Sequence, residues 1–98
     1  MAIEKKHKVI QYGIDINESY HRVNNIMINN QLVDYVIEIY ISKEARYLNS
    51  TPVDAVYMNG IPFHVIMTAE GDDIIAKVYN FSKKAIPEYR NKEELIDV

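Results

Sequence analysis

Val33-Asp34-Tyr35-Val36-Ile37-Glu38-Ile39-Tyr40-Ile41 is the stretch that decides the fold. Val33, Tyr35, Ile37, Ile39 and Ile41 form one face, and Asp34, Val36, Glu38 and Tyr40 the other. A period of two at this density of β-branched and aromatic residues specifies a strand with one face buried. Its register is pinned, because a one-residue slip would carry Val36 and Tyr40 inward together with Asp34 and Glu38. Upstream, Asn29, Asn30 and Gln31 supply a hairpin turn, since Asn tolerates positive φ better than most residues. The arm before that turn is then Val23 followed by Ile26, Met27 and Ile28. Further back, Ile10, Tyr12, Ile14 and Ile16 alternate with Gln11, Gly13 and Asp15 as another half-buried strand, and polar Asn17, Glu18 and Ser19 read as a turn after it.

Downstream, residues 42 to 46 fit one helical turn or a strand end, and Asn49, Ser50, Thr51 and Pro52 make a loop. A second hairpin is expected from Val53–Met58 and Ile61–Met67, joined by Asn59-Gly60, because both central positions of a type I′ turn need positive φ. Pro62 has no amide to give to a ladder and marks a bulge or an outward-facing edge. The period then changes. Ile74, Val78, Phe81 and Ala85 are spaced four, three and four, with Asp72 and Asp73 before them, Lys83 and Lys84 at the far end and Pro87 as the stop. That spacing predicts one amphipathic helix over 74–85, with charges placed to suit its dipole.

Ninety-eight residues, 48% hydrophobic and 26% charged, suit one globular domain with one core. The expected domain spans 1–98, with a solvated N-terminal arm over 1–8 carrying Lys5, Lys6 and Lys8, and a tail over 88–98 that packs in part through Tyr89, Leu95, Ile96 and Val98 or is loose. The expected core is Ile14, Ile26, Ile28, Val33, Tyr35, Ile37, Ile39, Val65, Ile74, Val78 and Phe81. A net charge of -3 without a basic run disfavours nucleic acid as a partner. No apolar stretch approaches the length that spans a bilayer, and no secretory segment opens the chain, so production in a cytoplasm without membrane attachment is expected.

The chemistry is limited by what the chain lacks. With no Cys there is no thiolate, disulfide or iron-sulfur chemistry. The three His, at 7, 21 and 64, show no metal-ligand spacing along the sequence, and no metal or other cofactor is expected. Ser19 and His21 imitate a nucleophile and its base, but no nucleophile elbow or third carboxylate accompanies them, so no catalytic residue is assigned and no enzyme expected. Gly71-Asp72-Asp73 suits a helix start better than a metal turn.

Tyrosine stands out, with eight copies against two Phe and no Trp. A small core has few partners for eight phenol hydroxyls, so several are expected at the surface, where Tyr serves interfaces well; the plainer reading is that Tyr is simply a good strand residue. One helix covers one side of a sheet, so apolar residues on the other side need a second layer or a partner. Tyr40, Val36, Met27, Tyr57 and Tyr47 are therefore the interface candidates.

From end to end the sequence resembles small proteins encoded in the structural gene blocks of long-tailed bacteriophages of low-GC Gram-positive hosts. The resemblance lies in Met1-Ala2-Ile3 leading to a strand, Ser19-Tyr20-His21-Arg22-Val23, the turn at Asn29-Asn30-Gln31 and Tyr40-Ile41-Ser42-Lys43-Glu44-Ala45-Arg46. It continues through Ile61-Pro62-Phe63 and a closing helix followed by Ile86-Pro87-Glu88-Tyr89 and Ile96-Asp97-Val98. The resemblance implies a virion or assembly component of the tail, baseplate or fibre region, with no catalytic residues to carry over. The expectation is thus an α+β chain of two antiparallel β-hairpins forming a small sheet packed by one C-terminal α-helix. It would be a non-enzymatic tail-accessory protein located in the virion, contacting other virion proteins or itself as a homo-oligomer. A small regulatory protein that inhibits a host protein is the alternative.

Overall fold

The computed structural model describes residues 2–9, 13–48, 51–90 and 95–98. Among the described residues the fold is α+β: a five-stranded antiparallel sheet, open at both edges, with three helices. Its strands are β1 (Ile3–Val9), β2 (Ile14–Asn29), β3 (Leu32–Tyr40), β4 (Asp54–Pro62) and β5 (Ile96–Asp97), in the spatial order β4-β3-β2-β1-β5. Helix α1 (Lys43–Tyr47) follows β3, α2 (Phe63–Met67) follows β4, and α3 (Ile74–Ala85) leads into a 3₁₀ turn, Pro87–Tyr89.

The central strand forms as its alternation dictates, with Val33, Tyr35, Ile37 and Ile39 all buried. Its partner β2 joins it through Asn30 and Gln31, whose φ angles of 51° and 65° both lie in the left-handed region that a two-residue hairpin turn requires. Ile41 falls just past β3 and is exposed.

Three bulges separate the observed strands from the expected ones. Asn17 and Glu18 face Lys6 alone, Asn25 and Ile26 face Tyr35 alone, and Asn59 and Gly60 face Asp34 alone. Each extra residue bends its strand and resets the side-chain alternation. The Asn17–Ser19 turn is therefore replaced by one continuous strand of 16 residues. The second hairpin is replaced too: β4 runs straight through Asn59-Gly60, and Phe63–Met67 coils as α2 to bury Ile66. Gly60, at φ 68°, does adopt the conformation its neighbours predicted, but a glycine bulge needs that φ as much as a hairpin does. Asp34 Oδ1 fixes the bulge by accepting from the Gly60 amide at 2.7 Å.

The sheet curls around α3. The helix starts at Asp73, whose carboxylate accepts from the Ala76 amide at 2.8 Å, and ends before Pro87. Ahead of it, Gly71 sits at φ 132°, where an added Cβ would lie 2.7 Å from that of Ala76, so only glycine fits this approach. The helix buries Val78, Tyr79 and Ser82, so the inward stripe is rotated from the one expected: Ile74 and Phe81 are half-buried. Hydroxyl pairing explains the shift. Ser82 Oγ donates to the Val78 carbonyl and receives Tyr35 Oη at 2.6 Å, while Tyr79 Oη accepts the Val23 amide at 2.8 Å, beyond the last β1–β2 pair.

Of the expected core, Val33, Tyr35, Ile37, Ile39 and Val78 are buried, and Ile26, Val65, Ile74 and Phe81 are half-buried. Ile14 and Ile28 are exposed instead, because they lie at the two ends of β2. Tyrosine also departs from expectation, since Tyr20, Tyr35, Tyr40, Tyr79 and Tyr89 are buried and only Tyr47 and Tyr57 among the described tyrosines are exposed. Tyr12 and Ile10 lie outside the described residues, as do 91–94 of the tail.

Most of the solvated arm expected over 1–8 is instead part of an inner strand, β1 (Ile3–Val9). Lys6 and Lys8 do face solvent, but Ile3, Lys5, His7 and Val9 point into the concave face. The other end of the chain closes over the first: β5 pairs with β1, and Ala2 and Val98 exchange two backbone hydrogen bonds of 2.9 Å. Lys83 at the end of α3 ties to Asp97 at 2.8 Å.

Candidate functional site: a buried polar cluster and the convex face

At the end of the concave face away from the hairpin tip, the sheet register places Ile3, His21, Ile39 and Asp54 in one row across β1 to β4. Lys5, His7 and Ser19 stand beside that row, and the 3₁₀ turn after α3 lowers Glu88 and Tyr89 onto it. A polar cluster results, built from both ends of the chain. On a flat sheet β1 and β4 would lie about 14 Å apart, three spacings of roughly 4.8 Å. Here His7 Nε2 reaches Asp54 Oδ2 at 2.8 Å, a measure of how strongly the bulged strands curl.

The contacts define who donates. Ser19 Oγ gives its only proton to the Lys5 carbonyl, so at 2.7 Å it accepts from His21 Nε2–H. That leaves His21 Nδ1 as a lone pair, which takes the Tyr89 hydroxyl at 2.7 Å. On the neighbouring ring, Nε2–H of His7 donates to Asp54 and turns Nδ1 toward Glu88 Oε1 in a very close contact. Lys5 Nζ binds the same Glu88 oxygen at 3.2 Å and lies 5.9 Å from the centre of the Tyr89 ring. The two imidazoles meet edge to face at 5.4 Å.

Burial, reinforced by the charges of His7 and Lys5, pushes the His21 pKa down to about 3, so this ring stays neutral at any physiological pH. Burial acts to raise the Asp54 carboxyl, but hydrogen bonds from His7 and the Ala55 amide, with the charge of His7, outweigh it and hold the group below its usual range. The Tyr89 phenol is pushed well above its ordinary value by burial first and by Glu88 second.

Chemically, Ser19 and His21 do meet, but in the wrong sense for a nucleophile and its base. A base must accept the serine proton, whereas here the serine gives that proton to a backbone carbonyl and the imidazole donates. Ser19 and His21 are also fully buried. Two side chains that sequence spacing left apart, His7 and His21, come together because β1 and β2 are neighbours, and Glu88 joins them from 67 positions further on than His21. Their ligand atoms lie within 4.8 Å of one another. Only the antiparallel pairing of β1 with β2 could have revealed this in the sequence.

The interface candidates lie elsewhere, on the convex side. Register places Tyr40, Val36, Met27 and Tyr57 on the face opposite the core, with Val36 directly across from Tyr57. Met27 and Tyr57 are 65% and 72% exposed, and Leu32 on the same face is 44% exposed. Tyr47, on α1, is exposed as well. Val36 and Tyr40 are not free surface. Tyr40 packs with Ala2 and Tyr20, donates to Glu38 at 3.2 Å and lies under the Arg46 guanidinium of α1, 5.7 Å from its ring centre. Val36 forms the floor of a shallow groove bordered by Tyr57, Glu38 and Pro52. Among the described residues no helix is long and apolar enough to cross a membrane.

Compared with models of known protein families, with curated proteins and with solved structures, the chain matches none of them.

Proposed function

We propose that this chain is a non-enzymatic contact protein, a tail-accessory or assembly component of a bacteriophage virion, that docks through the β4 edge and the adjoining convex face. The observation that carries the reading is β4 itself. It is the outermost strand on its side of the sheet, and from Ala55 to Met58 it bears no charge, no proline and no bulge. Sheet proteins blunt such edges with one of those devices unless the edge is used. Here the bulge and Pro62 protect only the far end of the strand. A partner segment adding to Ala55–Met58 gains main-chain hydrogen bonds, and Tyr57 beside the Val36 groove gives it a rigid aromatic contact. The partner is a second copy or another virion protein. The viral setting rests on the sequence resemblance alone.

The substitution Tyr57→Lys removes the aromatic contact and places a charge on the edge without touching the concave core. In a phage whose own copy is deleted, the wild-type chain supplied in trans is expected to restore tails and host attachment. The Y57K chain, with an unchanged melting temperature, is expected to fall at least tenfold short in infectious titre. Normal titre from particles lacking the chain altogether would contradict the assignment.

A further inference from the structure

We propose that His7, His21 and Glu88 are the ligands of a structural zinc site that fastens the C-terminal turn to the sheet. Two imidazoles and a carboxylate are a donor set that suits zinc and its first-row neighbours. Their ligand atoms, all within 4.8 Å of one another, need to close to about 3.4 Å to sit around one tetrahedral ion. Glu88 is the one that can move, since it stands at the edge of the cluster on a short turn and its side chain is 26% exposed.

The surroundings of the two rings carry the proposal beyond proximity. A histidine that binds a metal through one nitrogen normally donates its other N–H to a carboxylate, carbonyl or hydroxyl, which fixes its tautomer and aim. Both rings are held in that way already. His7 Nε2–H is fixed by Asp54 at 2.8 Å, which turns Nδ1 inward. His21 Nε2–H is fixed by Ser19 at 2.7 Å, and Ser19 in turn by the Lys5 carbonyl, so that His21 also presents Nδ1. Nδ1 of His7 and the Glu88 carboxylate already face each other in direct contact.

Two groups must yield. Lys5, whose ammonium lies 3.2 Å from Glu88 Oε1, must swing away from that oxygen, and Tyr89 must give up its hydrogen bond to His21 Nδ1; with three protein donors, the fourth position is left to a water molecule. The bound ion would link β1, β2 and the 3₁₀ turn, three elements far apart in sequence. It would supply no catalysis, only a clamp.

The test is titration of the full chain, stripped with chelator, with zinc chloride and in parallel with cobalt(II) chloride. One saturable zinc site per chain, a raised melting temperature and a visible cobalt spectrum of four-coordinate type are expected. Glu88→Gln and His7→Gln should each weaken zinc binding more than a hundredfold, and Asp54→Asn, which only aims His7, by roughly tenfold to a hundredfold. His64→Ala, on the exposed face of α2, should change nothing. Failure of the wild-type chain to bind zinc, or zinc binding that survives in E88Q and is lost in H64A, would overturn the proposal. Because Glu88 is partly exposed, E88Q stays informative even where a buried-histidine variant does not fold.

Discussion

Acidifying the metal-free chain from pH 7 to pH 4 is expected to cost about 3 kcal/mol of folding stability through His21 alone. The pKa of this ring falls from 6.5 in the unfolded chain to about 3 in the folded one. Between those values the unfolded chain binds a proton that the folded chain refuses, so stability is complete above pH 6.5 and drains away as the pH falls. The slope is about 1.4 kcal/mol per pH unit, approaching a total of roughly 5 kcal/mol near pH 3. Asp54, with its pKa below the ordinary value, adds to the loss at the acid end of the range. At the lower end of the stability of roughly 5 to 15 kcal/mol usual for a domain, that loss brings the unfolding midpoint to about pH 3. Urea titrations at a series of pH values, with chelator present, measure the slope. A wild-type chain whose stability is flat from pH 6.5 to pH 4, or falls no faster than that of His21→Gln, would show that the ring is not sequestered.

Ser19→Ala is expected to be the most damaging small change in the sheet, destabilising by on the order of 2 to 5 kcal/mol at pH 7. Alanine is serine without its hydroxyl and adds no bulk to a fully buried site, so the loss arises from hydrogen bonding. The Ser19 hydroxyl serves two buried groups, donating to the Lys5 carbonyl and accepting from His21 Nε2–H. Its removal leaves both unpaired where water does not reach, since Ser19 and His21 are fully buried. Ser19→Thr keeps the hydroxyl and is expected to retain most of the stability. Denaturant unfolding of the two variants decides the matter, and an alanine variant as stable as the wild type would mean that these bonds carry no net energy.

Ser19 also shows why part of this molecule was legible in its sequence and part was not. Periodicity is a local property, and where it governs the structure, reading it suffices. β3 emerged from its alternation, the turn at Asn30 and Gln31 from their tolerance of positive φ, and α3 from its spacing and its two charged ends. The bulges at 17–18, 25–26 and 59–60 each insert one residue and reverse the pattern, so polar residues inside a strand looked like a turn and Asn59-Gly60 looked like a hairpin. Ser19 was polar because it is wired to His21 inside the core, not because the chain turns there. The same holds for Lys5 and His7, which resemble a solvated arm until Asp54 and Glu88 arrive from 47 and 81 positions away to meet the His7 ring. No window along the chain contains that cluster; only the strand order and the return of the C-terminus assemble it. The convex face was better signalled, because Met27, Val36, Tyr40 and Tyr57 share it through register, although α1 turned Tyr40 into a packing residue.

Function by contact through β4 is tested most directly by placing a photo-crosslinking amino acid at position 57 of the chain in infected cells, with position 84 on the exposed side of α3 as the comparison. Crosslinks from position 57 to a second copy or to another virion protein, with none from position 84, are the expected result. Abundant crosslinks from position 84 and none from position 57 would place the working surface on the opposite side of the molecule and contradict the reading.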